Sequence, residues 1–201
     1  MLGTLLVIHS SCGEKQEESK PPTGVCSYQI STPEKEKELV VGATGSELAQ
    51  SLVITQEVVV KTVQLNLLKT GTPKGTLILK IQKDSIDAET EQSLNEPDAA
   101  SQVAKAELKI PTDEKSSQTL KDEAAFYIFD FTATETKLAA GKYWFRLEVI
   151  YDATTEESAV KWSANTTNTF TTGQALKEDG IANSWTNEET VDTDLVLKVC
   201  I

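Results

Sequence analysis

Histidine is almost absent from this chain of 201 residues, which contains only His9. Histidine is the usual general base of Ser-His-Asp and Cys-His catalytic sites and a common metal ligand. We expect the segment that carries His9 to be removed from the mature protein. The sequence therefore predicts a protein that is not an enzyme and has no histidine-ligated metal.

Basic residues and long hydrophobic runs are also scarce. Nineteen Lys and Arg stand against 31 Asp and Glu, for a formal net charge of -12. Because Lys and Arg hold nucleic acids and anionic lipid surfaces, we expect no nucleic-acid partner. After residue 12 no run approaches the roughly 20 apolar residues of a membrane-spanning helix. Membrane contact is expected only through an anchor.

One short hydrophobic run opens the chain, and it ends in Ser10, Ser11 and Cys12. About seven apolar residues followed by small ones are typical of the end of a signal peptide. The stretch LVIHSSC resembles a bacterial lipobox, whose cysteine is lipidated and becomes the mature N-terminus. The resemblance implies a signal peptide remnant over 1–11, lipidation at Cys12, and a place in the bacterial cell envelope, periplasmic or surface-exposed. The alternative is a first buried strand in an ordinary soluble protein.

Three cysteines is an odd number, which suggests a separate task for one of them. If Cys12 carries lipid, Cys26 and Cys200 remain as a pair near the two ends of the folded part. An oxidising compartment would allow them to form a disulfide, which we expect at a sheet edge or on an outer face. The alternative is two free, buried thiols.

The segment 12–24 follows the hydrophobic run and changes composition sharply. From Gly13 to Gly24 it contains Glu, Lys, Gln, Ser and Pro with no apolar residue to bury. Such composition predicts a disordered tether. The folded domain is therefore expected over 25–201.

Past the tether, apolar and polar residues alternate with the period of a β-strand. KTVQLNLLK and TLILKIQK are separated by TGTPKG, which predicts a hairpin. AFYIFDFT, KYWFRLEVIY and DLVLKVCI predict further strands. The alanine-rich EPDAASQVAKAEL is interpreted as one helical turn or a loop within an acidic insertion over 84–115. These patterns predict an all-β domain, a single sandwich of two antiparallel sheets.

Three motifs occur in order along the domain: a Gly-x-Pro-x-Gly turn (Gly71 to Gly75), a Leu-x-x-Gly-x-Tyr strand entry (Leu138 to Tyr143), and a Trp before a closing Asp-Leu strand (Trp185 to Leu195). In this the chain resembles bacterial jelly-roll β-sandwiches of the choice-of-anchor type. The resemblance implies a jelly roll similar to carbohydrate-binding modules. It also implies an accessory, adhesive role on an exported protein, without a shared catalytic set.

The candidate ligand-binding residues are aromatic and amide side chains. Sugar rings stack on tryptophan while their hydroxyls need polar partners nearby. Trp144 alternates with inward apolar residues, and Trp162 and Trp185 lie beside amide-rich stretches that include Asn165. The alternative is that Trp162 and Trp185 cap the core, and that the N-terminal segment covers Trp144.

Acidic residues suggest two further sites. Asp192 and Asp194 in VDTDLV, with Glu188 and Glu189 just before, offer oxygen ligands for a structural calcium, and the alternative is a solvated acidic loop. Asp130 between two phenylalanines is a candidate acid for a carboxylate-only glycoside hydrolase, and the alternative is an outward strand residue.

Together these features favour a non-catalytic envelope lipoprotein that acts as a binding or adhesion module, with glycans as the candidate ligand. One alternative is a structural envelope protein that binds another protein. The hydrolase is the third.

Overall fold

The computed structural model describes residues 25–30, 36–42, 46–110, 119–152, 158–166, 173–179, 184–187 and 193–201. These residues form strands and one 3₁₀ turn, Thr132–Thr134, and no α-helix is found among them. The strands are β1 (Cys26–Gln29), β2 (Glu36–Val41), β3 (Leu48–Ile54), β4 (Val58–Val60), β5 (Thr62–Thr70), β6 (Gly75–Ile86), β7 (Ser93–Ile110), β8 (Ala125–Asp130), β9 (Thr136–Leu138), β10 (Gly141–Tyr151), β11 (Ala159–Asn165), β12 (Ala175–Asp179), β13 (Ser184–Thr186), β14 (Asp194–Leu195) and β15 (Leu197–Cys200).

The strands form two large antiparallel sheets. The seven-stranded sheet follows the order β1-β15-β5-β11-β14, with β8 added on β5 and β2 on β11. The six-stranded sheet has the order β13-β12-β3-β10-β6-β7. A third, small sheet pairs β4 with β9. The prediction of an all-β fold built from antiparallel sheets is confirmed.

The core lies between the inner faces of the two large sheets, and it contains the apolar residues that alternate along each predicted strand. On β5 these are Val63, Leu65 and Leu67, all fully buried. The same holds for inward residues of the other predicted strands: Leu77, Leu79, Ile81, Tyr127, Phe129, Phe131, Tyr143, Phe145, Leu147, Leu195, Leu197 and Val199.

The predicted hairpin around TGTPKG is wrong, because β5 and β6 belong to different sheets. β5 pairs with β8, β11 and β15, whereas β6 pairs with β10 and β7. Residues 71–74 therefore carry the chain across the core from one sheet to the other. Glycine and proline indicate where a chain turns, but not which strand accepts its hydrogen bonds.

The alanine-rich segment is part of an 18-residue strand, so its interpretation as a helical turn or loop is also wrong. β7 pairs antiparallel with β6, and Ala104 and Ala106 stand opposite Ile81 and Leu79. Strand pairing supplies hydrogen bonds and burial that outweigh the weak helix preference of alanine. The actual hairpin is β6 with β7, turning through 87–92, where Asp87 Oδ1 accepts hydrogen bonds from the backbone of Glu89 and Thr90.

The disulfide between Cys26 and Cys200 is confirmed. The two cysteines face each other across β1 and β15, and β1 is the outermost strand at this end of its sheet. Gln64 on neighbouring β5 donates a hydrogen bond from Nε2 to Cys200 Sγ over 3.6 Å. The bridge therefore lies at a sheet edge, as predicted, although the Cys200 side chain is itself buried.

Candidate functional site

A group of polar and aromatic side chains lies on the outer face of the six-stranded sheet. β10 sends Phe145 and Leu147 into the core, so its alternate residues Trp144 and Arg146 lie on the opposite side. The neighbouring strands β3 and β12, and β13 beyond them, bring further residues to the same region. We call this region the tryptophan face and define it by Trp144, Arg146, Trp185, Glu47 and Glu178.

Arg146 lies between two carboxylates. Its Nε donates a hydrogen bond to Glu47 Oε2, and its Nη2 lies 3.3 Å from Glu178 Oε2. Burial acts to lower the pKa of Arg146, but the hydrogen bond and charge of Glu47, with the charges of Glu178 and Glu148, outweigh it and raise that pKa. The guanidinium is therefore a permanent cation held in place by its neighbours.

At Glu178 the effect of burial on the pKa exceeds that of the opposite charge. Burial raises its pKa, and the positive charge of Arg146 only partly offsets this effect. The nearby negative charge of Glu47 raises the pKa further. The face therefore holds one carboxyl group that binds a proton more readily than an exposed glutamate does.

Trp185 lies above this ion pair. The Arg146 guanidinium carbon is 5.3 Å from the centroid of its ring, a cation–π contact. Trp185 stands opposite Glu178 in the β12–β13 pair and is half-buried. One part of an amphipathic ring is therefore accessible beside charged hydrogen-bonding groups.

Trp144 is fully buried, although it lies outside the sandwich core. It packs with Ala49 and Leu176 in a small second cluster, against which Trp185 also packs. Its Nε1 donates a 2.7 Å hydrogen bond to Asp84, and the Lys142 ammonium lies 4.8 Å from its ring centroid. Trp144 therefore supports the face and does not present a ring to a ligand.

Gln82 stands opposite Trp144 in the β6–β10 pair and is 2% exposed. Its Oε1 accepts no hydrogen bond from any residue that the structure describes. A buried acceptor without a donor is uncommon in proteins. The edge of the tryptophan face thus has an unused acceptor.

Trp162 and Asn165 are placed elsewhere, on β11 of the seven-stranded sheet. Trp162 is fully buried in the core, and its Nε1 donates a 2.9 Å hydrogen bond to the carbonyl of Val196. A buried ring offers no face to a ligand, so Trp162 packs the core, the alternative that its sequence left open. Asn165 is 2% exposed and pairs with Asp194 across β11 and β14. Neither residue joins Trp144 and Trp185.

The predicted calcium ligands are only partly within the described residues. Asp194 is buried in β14, whereas Glu188, Glu189 and Asp192 lie outside the described residues, as do Cys12 and the segments 1–11 and 12–24. Within the described ranges, no group of three or more His, Cys, Asp or Glu could hold a metal ion. The calcium site and the lipidation stay predictions.

Asp130 lies exposed at the end of β8. Its Oδ1 accepts hydrogen bonds from the backbone nitrogen of Thr132 at 2.8 Å and from the Thr132 hydroxyl at 2.6 Å. These bonds stabilise the turn into the 3₁₀ segment. Asp130 is thus an outward residue whose hydrogen bonds stay within this turn, in agreement with the alternative for it.

The carboxylates of the tryptophan face were not predicted. Arg146 could be placed outward because it alternates with Phe145 and Leu147. Glu47 and Glu178 meet it only because β3 lies between β10 and β12. No local pattern in the sequence contains that strand order.

Among the described residues, no helix is long and apolar enough to cross a membrane. Comparison of the chain with protein-family models, with curated proteins and with solved structures found no match.

Proposed function

We propose that this protein is a non-catalytic binding module of the bacterial cell envelope, and that the tryptophan face binds a glycan. The observation that carries the proposal is the partly exposed ring of Trp185 beside Arg146, Glu47 and Glu178. Sugar C–H faces pack on such a ring, while hydroxyl groups exchange hydrogen bonds with the flanking guanidinium and carboxylates.

The charge of the surrounding surface favours a neutral sugar. Carboxylates and cations alternate across this side of the sheet. Lys80 Nζ lies 2.6 Å from Glu148 Oε2, and Lys142 Nζ lies 3.5 Å from Asp84 Oδ1. Opposite charges so close together cancel at a distance, so the face attracts neither a polyanion nor a polycation.

The fold itself is proposed to be a jelly roll. The chain passes repeatedly from one large sheet to the other: β3 lies in the six-stranded sheet, β5 in the seven-stranded, β6 and β7 in the six-stranded, and β8 in the seven-stranded again. Such alternation is typical of jelly rolls, which the sequence motifs also favour.

The anchor rests on sequence alone, through the lipobox-like LVIHSSC and the tether over 12–24. Lipidation at Cys12 would hold the domain at a membrane surface. In a bacterial host, Cys12→Ser is expected to move the protein from the membrane fraction to the soluble fraction. Unchanged fractionation, with an intact mass that shows no lipid on the wild type, would contradict the anchor and leave the glycan proposal untouched.

A glycan array tests the binding proposal with the wild type, Trp185→Ala and the control Ile150→Ala. Ile150 lies outward on the same strand as Arg146 and is 50% exposed. We expect Trp185→Ala to weaken binding about tenfold or more, since an aromatic contact contributes about 1 kcal/mol beyond its buried area. We expect Ile150→Ala to bind as the wild type does. An array without any hit, or equal binding by Trp185→Ala, would overturn the proposal.

A further inference from the structure

Among the described residues, β7 is a long edge strand of the six-stranded sheet. Within the described residues, its backbone is hydrogen-bonded to β6 alone. The pairing is regular only in the second half of the strand, from Ala104 to Ile110, and its first register shift lies between Ala104 and Gln102. The outer side of this half-strand thus presents a row of unpaired N–H and C=O groups, to which another strand can add.

We propose that two copies of this chain pair antiparallel along Ala104–Leu108, about a two-fold axis at Ala106, so that their six-stranded sheets become continuous. The occupant of the free edge is thus a second copy of the same strand. This inference does not depend on the glycan proposal, because β7 and β13 lie at opposite edges of the sheet.

Charge along the strand selects this register. Lys105 and Glu107 are exposed on the outer face. Within one chain, Lys105 Nζ lies 3.0 Å from Glu107 Oε1. With the axis at Ala106, Lys105 faces Glu107 of the partner subunit, and by symmetry Glu107 faces Lys105 of the partner subunit. The four charged groups around the axis then alternate in sign, so that each lies beside two of opposite sign. Opposite charges directly across an antiparallel pair are stabilising.

Other registers are less favourable. An axis at Lys105 or at Glu107 sets that residue against its own copy, which is a like-charge contact. An axis at Leu108 sets Glu107 against Lys109 of the partner subunit, but it leaves Lys105 outside the paired residues 106–110. An axis between two residues would set outer side chains opposite inner ones, which a regular antiparallel pair does not allow because directly opposite residues point to the same face.

The inner face is compatible with the same register. Ala104 and Ala106 are buried on this side, and Leu108 is half-buried. Around an axis at Ala106, Ala104 faces Leu108 of the partner subunit, and the two Ala106 side chains face each other. Small residues thus stand opposite large or equally small ones, so the strands approach without a clash.

Sedimentation equilibrium of the full chain tests the proposal. The variants are Lys105→Glu, Glu107→Lys and the double exchange Lys105→Glu/Glu107→Lys, with Lys137→Glu, at the exposed position of β9, as the control. Each single variant puts two pairs of like charges across the axis and is expected to weaken the dimer about tenfold. The double exchange restores opposite pairs and is expected to recover wild-type affinity, and Lys137→Glu is expected to leave it unchanged.

A wild type that stays monomeric at every concentration would overturn the proposal. So would a dimer that both single variants leave unchanged, because it would use another surface. Hydrogen exchange gives a second measurement: amides within 104–108 are expected to gain protection as the wild type associates, and unchanged exchange in a dimer would also reject the β7 edge.

Discussion

Glu178 is the residue at which burial and charge compete most directly. It lies on the tryptophan face, hydrogen-bonded to Arg146, yet its pKa is raised because burial disfavours the ionised form more than Arg146 stabilises it. A carboxyl whose pKa is higher in the folded than in the unfolded state binds more protons when folded. Its contribution to stability is therefore largest at low pH and decreases as the pH rises through the folded-state pKa.

The variant Glu178→Gln removes this titration. We expect the free energy of unfolding of the wild type, minus that of Glu178→Gln, to decrease between about pH 4 and about pH 7. Urea unfolding of both proteins across that range measures the difference, with Glu57→Gln as the exposed control variant. A difference that increases with pH would mean that the attraction to Arg146 exceeds the cost of burial.

The three tryptophans show how far single residues can be interpreted from sequence. Alternation placed Trp144 on the outer face correctly, but it could not indicate that Lys142, Ala49 and Leu176 cover it. Trp162 and Trp185 both precede polar stretches, yet one is buried and the other half-exposed. Exposure depends on what packs above a residue, and that partner is usually distant in sequence.

Among the elements, the connection from β5 to β6 depends on one glycine. Gly75 begins β6 with φ +153°. A Cβ atom at this position would lie 2.1 Å from the carbonyl oxygen of Ile150, on the paired strand β10. Because this neighbour is backbone, it cannot move aside without disturbing the pairing.

We expect Gly75→Ala to destabilise the domain more than Gly141→Ala. Gly141 has φ +157°, but the nearest atom to its added Cβ would be 3.7 Å away. The two variants share a similar backbone cost, so their difference isolates the clash, which we expect to be about 1–3 kcal/mol. Urea unfolding measures both, and equal losses would show that the backbone moves aside at Gly75.

β7 shows the limit of local preference at the scale of an element. Its alanines favour a helix weakly, and its acidic residues are typical of a loop. The strand forms because β6 offers a partner edge and because Ala104 and Ala106 fit opposite Ile81 and Leu79. That partner becomes available only once the six-stranded sheet exists.

At the scale of the whole molecule, the disulfide joins the two ends of the folded chain. Cys26 and Cys200 are 174 residues apart in sequence. β1 has β15 as its only partner strand among the described residues, so the bridge fastens an edge held by few backbone contacts. Such a cross-link also restricts the unfolded chain strongly, because the loop that it closes is long.

The double variant Cys26→Ala/Cys200→Ala is expected to lower the free energy of unfolding by about 2–5 kcal/mol. Urea unfolding of both proteins measures the loss, and intact mass with and without reductant verifies the bridge in the wild type. Hydrogen exchange is expected to rise first in β1. Unchanged stability in the variant, with the bridge present in the wild type, would contradict a stabilising role.

The sequence by itself determined the all-β class, the inward residues of most strands, and the pairing of Cys26 with Cys200. The first two depend on a period of two residues, which each segment carries locally. The third was predicted by counting, because an odd number of cysteines suggests a separate task for Cys12 and leaves Cys26 and Cys200 as a pair. Each of these properties can be judged without knowing which strands are neighbours.

Only the tertiary structure decided the order of the strands, the crossing between sheets at 71–74, the free edge of β7 and the tryptophan face. Arg146 meets Glu47 and Glu178 because three strands from distant parts of the chain lie side by side. Strand pairing uses backbone groups that are the same in every residue, so a strand's own sequence hardly specifies its partner. Each strand's partners are set by the arrangement that buries the apolar faces of all the strands at once.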